Sequence, residues 1–377
     1  MVKIATIIGT RPEIIKMSSV IKKLDLYTDN KIIFTGQNYS PSLSNIFFGD
    51  LDIRSPDYTL NVNAQNPALQ VSKIIREVDK VLEIEKPDAF LVYGDTNSCL
   101  SSYCAKRRKI PIFHFEAGNR CMDIRVPEEI NRKIIDHLAD YNFVLSEHSR
   151  RNLIAEGLPE NRIIKTGSHL TEVINCFEAS IKNSNVLNDF NLKPQDYFLF
   201  SFHREENVDD TDLLNKLLKQ IKILSEKYKK KIIISTHPRT KSHLKKIDTK
   251  IELELKLNNI LFAEPFGYFD YLTLQKNAAC TISDSGTITE ESSILGFPAL
   301  MLRRSHERME GEDLPLLIKS SIEDEDLIEK IEITMNLKNK LKHQHIRDYN
   351  NSNVSDQILM VILSHISTVN NFTWFKN

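Results

Sequence analysis

Six of the eleven glycines in this 377-residue chain close the same kind of run, and that regularity constrains the fold more than any other feature. Eleven glycines amount to about 3%, where about 7% is usual, so their placement carries information. Gly9, Gly36, Gly94, Gly118, Gly167 and Gly286 each come at or just after a short apolar stretch rich in β-branched and aromatic residues. Such stretches suit strands buried on both faces. Polar sequence and then a helix-like segment follow each one. The strand–Gly–helix cadence predicts βαβ units and a parallel sheet.

The cadence occurs twice. Strands are predicted near 3–8, 31–35, 88–93, 110–115, 141–145 and 162–166, and again near 197–202, 231–236, 259–263, 279–283 and 298–302. Between the sets, residues 179–189 have linker composition, with Asn183, Ser184, Asn185 and Asn188. The expectation is an α/β protein of two Rossmann-like domains, 1–178 and 190–377. At roughly 150 residues per domain the length agrees.

Fifty Lys and Arg against 51 Asp and Glu leave a net charge of -1. No global field therefore draws nucleic acid or an anionic membrane. The basic clusters at Lys106–Lys109 and Lys229–Lys231 read as solvated helix ends. No apolar run approaches the ~20 residues that span a bilayer. The first apolar stretch meets Arg11 and Glu13 too soon for a secretory signal. Five scattered cysteines without a CxxC pair read as reduced thiols, so a cytoplasmic protein is expected. His306-Glu307-Arg308-Met309-Glu310 lacks the second histidine of a zinc-protease helix, and no metal site is expected.

In open α/β sheets the ligand sits outside the carboxyl ends of the strands. Arg11 stands before Pro12 at a predicted helix N-terminus, where anions bind. Asp95 and Glu116 directly follow or end apolar strands, where carboxylates are uncommon without a partner or a task. Glu128 and Glu129 follow Pro127 in a first helical turn, and for Glu129 and Glu290 helix capping is the simpler account. In the second half, strand ends carry His203-Arg204, His237 and Asp284-Ser285-Gly286-Thr287. No GxGxxG follows the first strand and no Walker A motif occurs, which disfavours a nicotinamide or flavin cofactor. The 284–287 turn instead resembles a phosphate cradle, with main-chain N–H groups and two hydroxyls. Glu291 lies further along that helix, placed to accept from ribose hydroxyls. Together these point to a sugar nucleotide.

At Gly9-Thr10-Arg11-Pro12-Glu13, Gly94-Asp95-Thr96, Glu116-Ala117-Gly118, Pro127-Glu128-Glu129, His203-Arg204-Glu205, Asp284-Ser285-Gly286 and Glu290-Glu291, the chain resembles the non-hydrolysing UDP-N-acetylglucosamine 2-epimerases. The resemblance spans nearly the whole chain. It implies a glycosyltransferase-B-like fold with the active site in a cleft between the domains, a homodimer, and no cofactor. The implied reaction eliminates UDP across C1–C2 to a 2-acetamidoglycal and adds it back with the C2 proton on the opposite face. Asp95, Glu116, Glu128 and His203 would then be catalytic. Arg11, Arg204, His237, Ser285, Gly286, Thr287 and Glu291 would bind the UDP-activated acetamido sugar.

Gly118-Asn119-Arg120-Cys121 and the strings around His203 and Ser285 look like a branch that forms UDP-N-acetyl-L-fucosamine from its 2,6-dideoxy-L-talose epimer for capsule or O-antigen synthesis. That substrate is the expectation, with UDP-N-acetylglucosamine to UDP-N-acetylmannosamine as the alternative. A hydrolysing epimerase and a retaining glycosyltransferase of the same fold are the rivals. Two departures stand out. Thr287 replaces a second glycine, and Asn38 replaces a histidine in a region that binds a second, activating substrate molecule in bacterial family members.

Overall fold

The apolar runs become two separate parallel sheets in the computed structural model, which describes residues 1–37, 48–244, 259–340 (the 339 side chain excepted) and 345–376. Asn38 lies outside the described residues. Among the described residues the first sheet has β1 (Lys3–Ile8), β2 (Asp29–Phe34), β3 (Tyr58–Thr59), β4 (Ala89–Tyr93), β5 (Ile112–Ala117), β6 (Tyr141–Val144) and β7 (Ile163–Lys165). Their order is β3-β2-β1-β4-β5-β6-β7. The second holds β8 (Tyr197–Ser201), β9 (Lys231–Ser235), β10 (Ile260–Ala263), β11 (Cys280–Ser283), β12 (Ala299–Leu302) and β13 (Ile318–Ser320), ordered β10-β9-β8-β11-β12-β13. The short strands β3 and β13 are additional to the expected set.

Both orders reverse direction once, at β1/β4 and at β8/β11. A parallel sheet opens a crevice at such a reversal, outside its strand carboxyl ends. Ile4–Ile7 pair in register with Ala89–Val92. Ser201 pairs with Ser283. The segments that leave these strands, 9–13 with 94–97 and 202–204 with 284–287, are thus neighbours within their own sheets.

Helices cover the sheets, among them α1 (Arg11–Tyr27), α2 (Pro67–Glu85), α3 (Pro127–Leu138), α4 (Thr211–Tyr228), α5 (Ile288–Leu295) and α6 (Val354–Phe372). Helix α2 buries Ile74, Val78, Val81 and Leu82 against Ala5, Ile7, Phe90 and Val92. Helix α4 buries Leu214, Leu217, Leu218 and Ile221 against Phe198, Phe200, Ile232 and Ile234. The spacing of these residues gives each helix one apolar stripe. Among the described residues no helix is long and apolar enough to cross a membrane.

The unit boundaries differ from the expected ones. One unit is Met1–Cys176 with Asp348–Asn377, and the other is Phe177–Arg347. The 179–189 stretch carries two short helices, Glu178–Lys182 and Val186–Asp189, and belongs to the second unit. Thr273 Oγ1 donates to Ile181 O at 2.7 Å, so tertiary contact overrides its linker composition. The chain's last helix, α6, packs on α1 in the first unit. Lys23 pairs with Asp356 at 2.7 Å, and the Tyr141 and His365 rings stack at 4.3 Å. Gly167, at φ +79°, lets Asp348 O approach where a side chain would stand.

The start of α1 stores a pH dependence. Glu13 reaches back to the N–H groups of Gly9 and Thr10, the second at 3.3 Å, in a capping box. It is only 2% exposed. Burial is the main cause that raises its pKa from 4.5 to about 7, with Asp95 adding to it, while Thr96 and the Gly9 and Thr10 N–H groups oppose the rise. Folding therefore binds a proton that the unfolded chain releases near 4.5. This contribution is fully present below that pH and is lost as pH rises through about 7. Glu13→Gln keeps the cap without the titration. Urea unfolding at about pH 5 and about pH 8 should show the wild type losing stability between them and the variant losing clearly less; equal losses would contradict this account.

Candidate active site

Beside the β1/β4 reversal, Asp95 and Glu116 are each held by a buried cation. Asp95 follows Gly94, and its Oδ2 accepts from Arg132 Nε of α3 at 2.7 Å. Arg132 also pairs with Glu129 at 3.0 Å, and Glu129 accepts the Cys121 N–H at 3.1 Å. Glu116 lies where the β5–β6 register shifts, and it adopts φ +67°. For a residue with a Cβ this left-handed geometry costs roughly 1–3 kcal/mol, and bulges of this kind re-aim side chains. Its Oε2 accepts from Lys16 Nζ at 3.0 Å and its Oε1 from Asn119 at 3.2 Å. The same ammonium stands 5.7 Å from the Tyr93 ring centre. Arg11 is the first residue of α1, and Glu128 is half-buried in the first turn of α3.

The loop after β5 rests on Asp136, which is fully buried. Its carboxylate accepts from Arg120 Nη1 at 2.7 Å and from Gly118 N–H at 3.2 Å, and lies 2.9 Å from His114 Nδ1. Arg120 continues to Glu156 at 2.7 Å. Gly118 is at φ +77°, and a Cβ there would overlap the Ser149 main-chain oxygen. Asn119 Oδ1 accepts from Ser149 Oγ at 2.8 Å.

The second unit builds its β8/β11 reversal around Asp284. That buried carboxylate accepts main-chain N–H groups from His203 at 2.8 Å and Arg204 at 2.9 Å, and Asn207 Nδ2 at 2.9 Å. His203 Nδ1 lies 3.1 Å from its other oxygen. Burial pushes the Asp284 pKa up, but the charge and hydrogen bond of His203, the Arg204 N–H and Asn207 outweigh it and lower it to about 2. The imidazole is thereby oriented through Nδ1, with Nε2 on its far side. His237 lies beside it, ring centres 5.1 Å apart. Arg204 Nε donates to Asp284 O at 3.0 Å.

In the cradle, the Ser285 and Thr287 hydroxyls are 3.0 Å apart. Two of the expected N–H donors turn to neighbouring hydroxyls, Ser285 N–H to Ser283 at 3.1 Å and Thr287 N–H to Ser285 at 3.4 Å. Glu291 is buried and accepts from Gln275 Nε2 at 2.6 Å.

Arg11, Asp95, Glu116, His203, Arg204, His237, Ser285, Gly286 and Thr287 thus end or closely follow strands of their own sheets, while Glu128 and Glu291 stand in α3 and α5. The sequence assigns no role to Lys16, Arg132, Asn131 or Asn207, although the last three lie in the polar strings at 125–132 and 203–207. Lys16 had one usable signal, a lysine within the apolar run Ile14-Ile15-Lys16-Met17. Asp284, expected as part of a phosphate turn, instead clamps His203.

The sequence profile of the family described as UDP-N-acetylglucosamine 2-epimerase matches residues 22–363. A UDP-N-acetylglucosamine 2-epimerase of Methanocaldococcus jannaschii is 39% identical over 346 residues, 90% of this chain and 94% of that protein. A UDP-2,3-diacetamido-2,3-dideoxy-D-glucuronate 2-epimerase of Pseudomonas aeruginosa is 31% identical over 314 residues, 82% and 85% of the two chains. Among solved structures, a UDP-N-acetylglucosamine 2-epimerase from Rickettsia bellii matches with TM-score 0.92 and 49% identity over 100% of both chains. The Methanocaldococcus jannaschii enzyme in complex with UDP-GlcNAc and UDP matches with TM-score 0.86 and 36% identity, covering 96% and 99%. These likenesses extend over both parallel-sheet units, the glycosyltransferase-B-like plan expected from the sequence. The chain belongs to the UDP-N-acetylglucosamine 2-epimerase family of isomerases.

Proposed function

We propose that the protein inverts C2 of UDP-N-acetylglucosamine by eliminating UDP and adding it back. The observation that carries this reading is the division of chemistry between the units. The first collects Asp95 and Glu116, each against a buried cation, with Glu128 in the first turn of α3. The second holds an oriented histidine beside a hydroxyl-bearing turn.

The C2 proton of an acetamido sugar is weakly acidic, so its removal must accompany departure of the diphosphate. A carboxylate takes that proton as the C1–O bond breaks, giving the 2-acetamidoglycal and UDP. On return, the diphosphate oxygen attacks C1 while a second carboxylic acid protonates C2 from the other face. Asp95, Glu116 and Glu128 fill these acid–base places. Arg11 and His203 stabilise the charge that gathers on the leaving diphosphate. Ser285, Gly286 and Thr287 hold phosphate, Glu291 the ribose, and Arg204 and His237 border the same edge. Atoms balance without any co-reactant.

The 6-deoxy-L-talose substrate is the second reading, favoured by Gly118-Asn119-Arg120-Cys121. In the structure these residues have other work: Gly118 and Arg120 bind Asp136, Asn119 bridges Glu116 and Ser149, and Cys121 N–H meets Glu129. That work serves either sugar. The names of most relatives support UDP-N-acetylglucosamine.

Three experiments test the proposal. Asp95→Asn, Glu116→Gln and His203→Ala should each lower kcat by about 10²–10⁴-fold, with UDP affinity little changed for the two carboxylate variants; near-normal turnover in all three would remove the assigned chemistry. By calorimetry, Ser285→Ala and Glu291→Ala should each weaken UDP binding by about 1–3 kcal/mol, and unchanged affinity in both would remove the cradle. For the substrate, kcat/KM is compared for the two sugar nucleotides in D2O, with products identified by NMR. UDP-N-acetylglucosamine should be preferred, giving UDP-N-acetylmannosamine deuterated at C2. An apolar pocket separates methyl from hydroxymethyl by only about 10²-fold, so the ratio decides. A reversed ratio would select the talose reading, and retained hydrogen at C2 would refute elimination.

A further inference from the structure

Helix α3 reaches Asp95 twice, through consecutive residues. Arg132 Nε donates to the Asp95 carboxylate at 2.7 Å, and Asn131 Nδ2 donates to the Asp95 main-chain oxygen at 2.8 Å. Asn131 also reaches Asn97 Oδ1 at 3.4 Å, so the loop leaving β4 is gripped at two residues. The Arg132 side chain is 6% exposed, and its Nη1 is tied to Glu129 at 3.0 Å. Glu129 is in turn fixed by the Cys121 N–H at 3.1 Å and thiol at 3.3 Å. A guanidinium held on two sides by carboxylates, with little water to screen it, has little freedom to swing.

The spacing along α3 gives this grip its meaning. Glu128 and Arg132 are four residues apart, one helical turn, and share a face. The helix that carries one proposed acid–base group thus also carries the cation that holds another. A proton transfer at carbon tolerates little misplacement, since about 1 Å can cost about 10²-fold in rate.

We infer that Arg132 is a positioning residue that sets where Asp95 stands relative to Glu128, so that α3 fixes the spacing of the acid–base set. The inference rests on the proposed role of Asp95 in the reaction. In this role Arg132 acts through the Asp95 carboxylate. A lysine in its place keeps the charge and gives up the planar fork that serves Asp95 and Glu129 at once.

The test is a double-mutant cycle on the full chain, with Asp95→Asn, Arg132→Lys and the two combined. It measures kcat and KM for the better sugar nucleotide and UDP affinity by calorimetry. Arg132→Lys should lower kcat by between about 10- and 10²-fold while KM and UDP affinity stay within about twofold. In the Asp95→Asn background, where the positioned group is gone, the lysine should cost nothing further. Losses that multiply, or a normal kcat in Arg132→Lys, would overturn the inference and leave the site reading intact. Near-normal kcat in Asp95→Asn alone would instead overturn the site reading beneath it. Arg132→Gln adds a second point, with a loss at least as large as that of lysine. If it fails to fold, the lysine cycle still decides.

Discussion

Asp136 is the carboxylate on which the carboxyl edge of the first sheet depends. Fully buried, it gathers the Arg120 guanidinium, the Gly118 N–H and the His114 ring from the strand and loop that carry Glu116. Without it, the buried Arg120 would keep, among the described residues, Glu156 alone as a charged partner, and stranded buried charge is among the costlier defects a fold can carry. The left-handed φ of Glu116 also needs something to over-determine it. Asp136, reaching β5 through His114 and the following loop through Gly118, supplies that constraint.

The second unit repeats the device with a different outcome. Asp284 is equally buried and accepts from two main-chain N–H groups, yet what it orients is an imidazole on the neighbouring strand's exit. In both sheets a buried carboxylate anchors polar loop structure close to a strand-order reversal. Burial without ionic or hydrogen-bonded partners would neutralise such groups. Asp284 escapes that because its partners outweigh desolvation, whereas Glu13, with weaker ones, does not.

What could be read from the residues alone was local. The runs before Gly9, Gly94 and Gly286 announce strands because β-branched apolar stretches of that length have few other uses. Strand ends then point to Arg11, Asp95, Glu116, His203 and Ser285 through topology alone. The pairings Lys16 to Glu116 and Arg132 to Asp95 join residues 100 and 37 positions apart, and no local pattern encodes them. The return of α6 was hidden for the same reason. Its partners, such as Lys23 and Tyr141, are distant in sequence, while its own composition suits a helix in either unit.

That return has a consequence for how the chain is made. The second unit is an insertion: the first is interrupted after Cys176 and resumes at Asp348. On a ribosome, residues 177–347 form an uninterrupted stretch that is free to collapse on its own sheet as soon as it emerges. The first unit has its whole sheet by Lys165, yet must wait for the other unit's entire length to be synthesised before α6 arrives to cover α1. Until then α1 lacks the helix that packs on it and Lys23 lacks its partner Asp356.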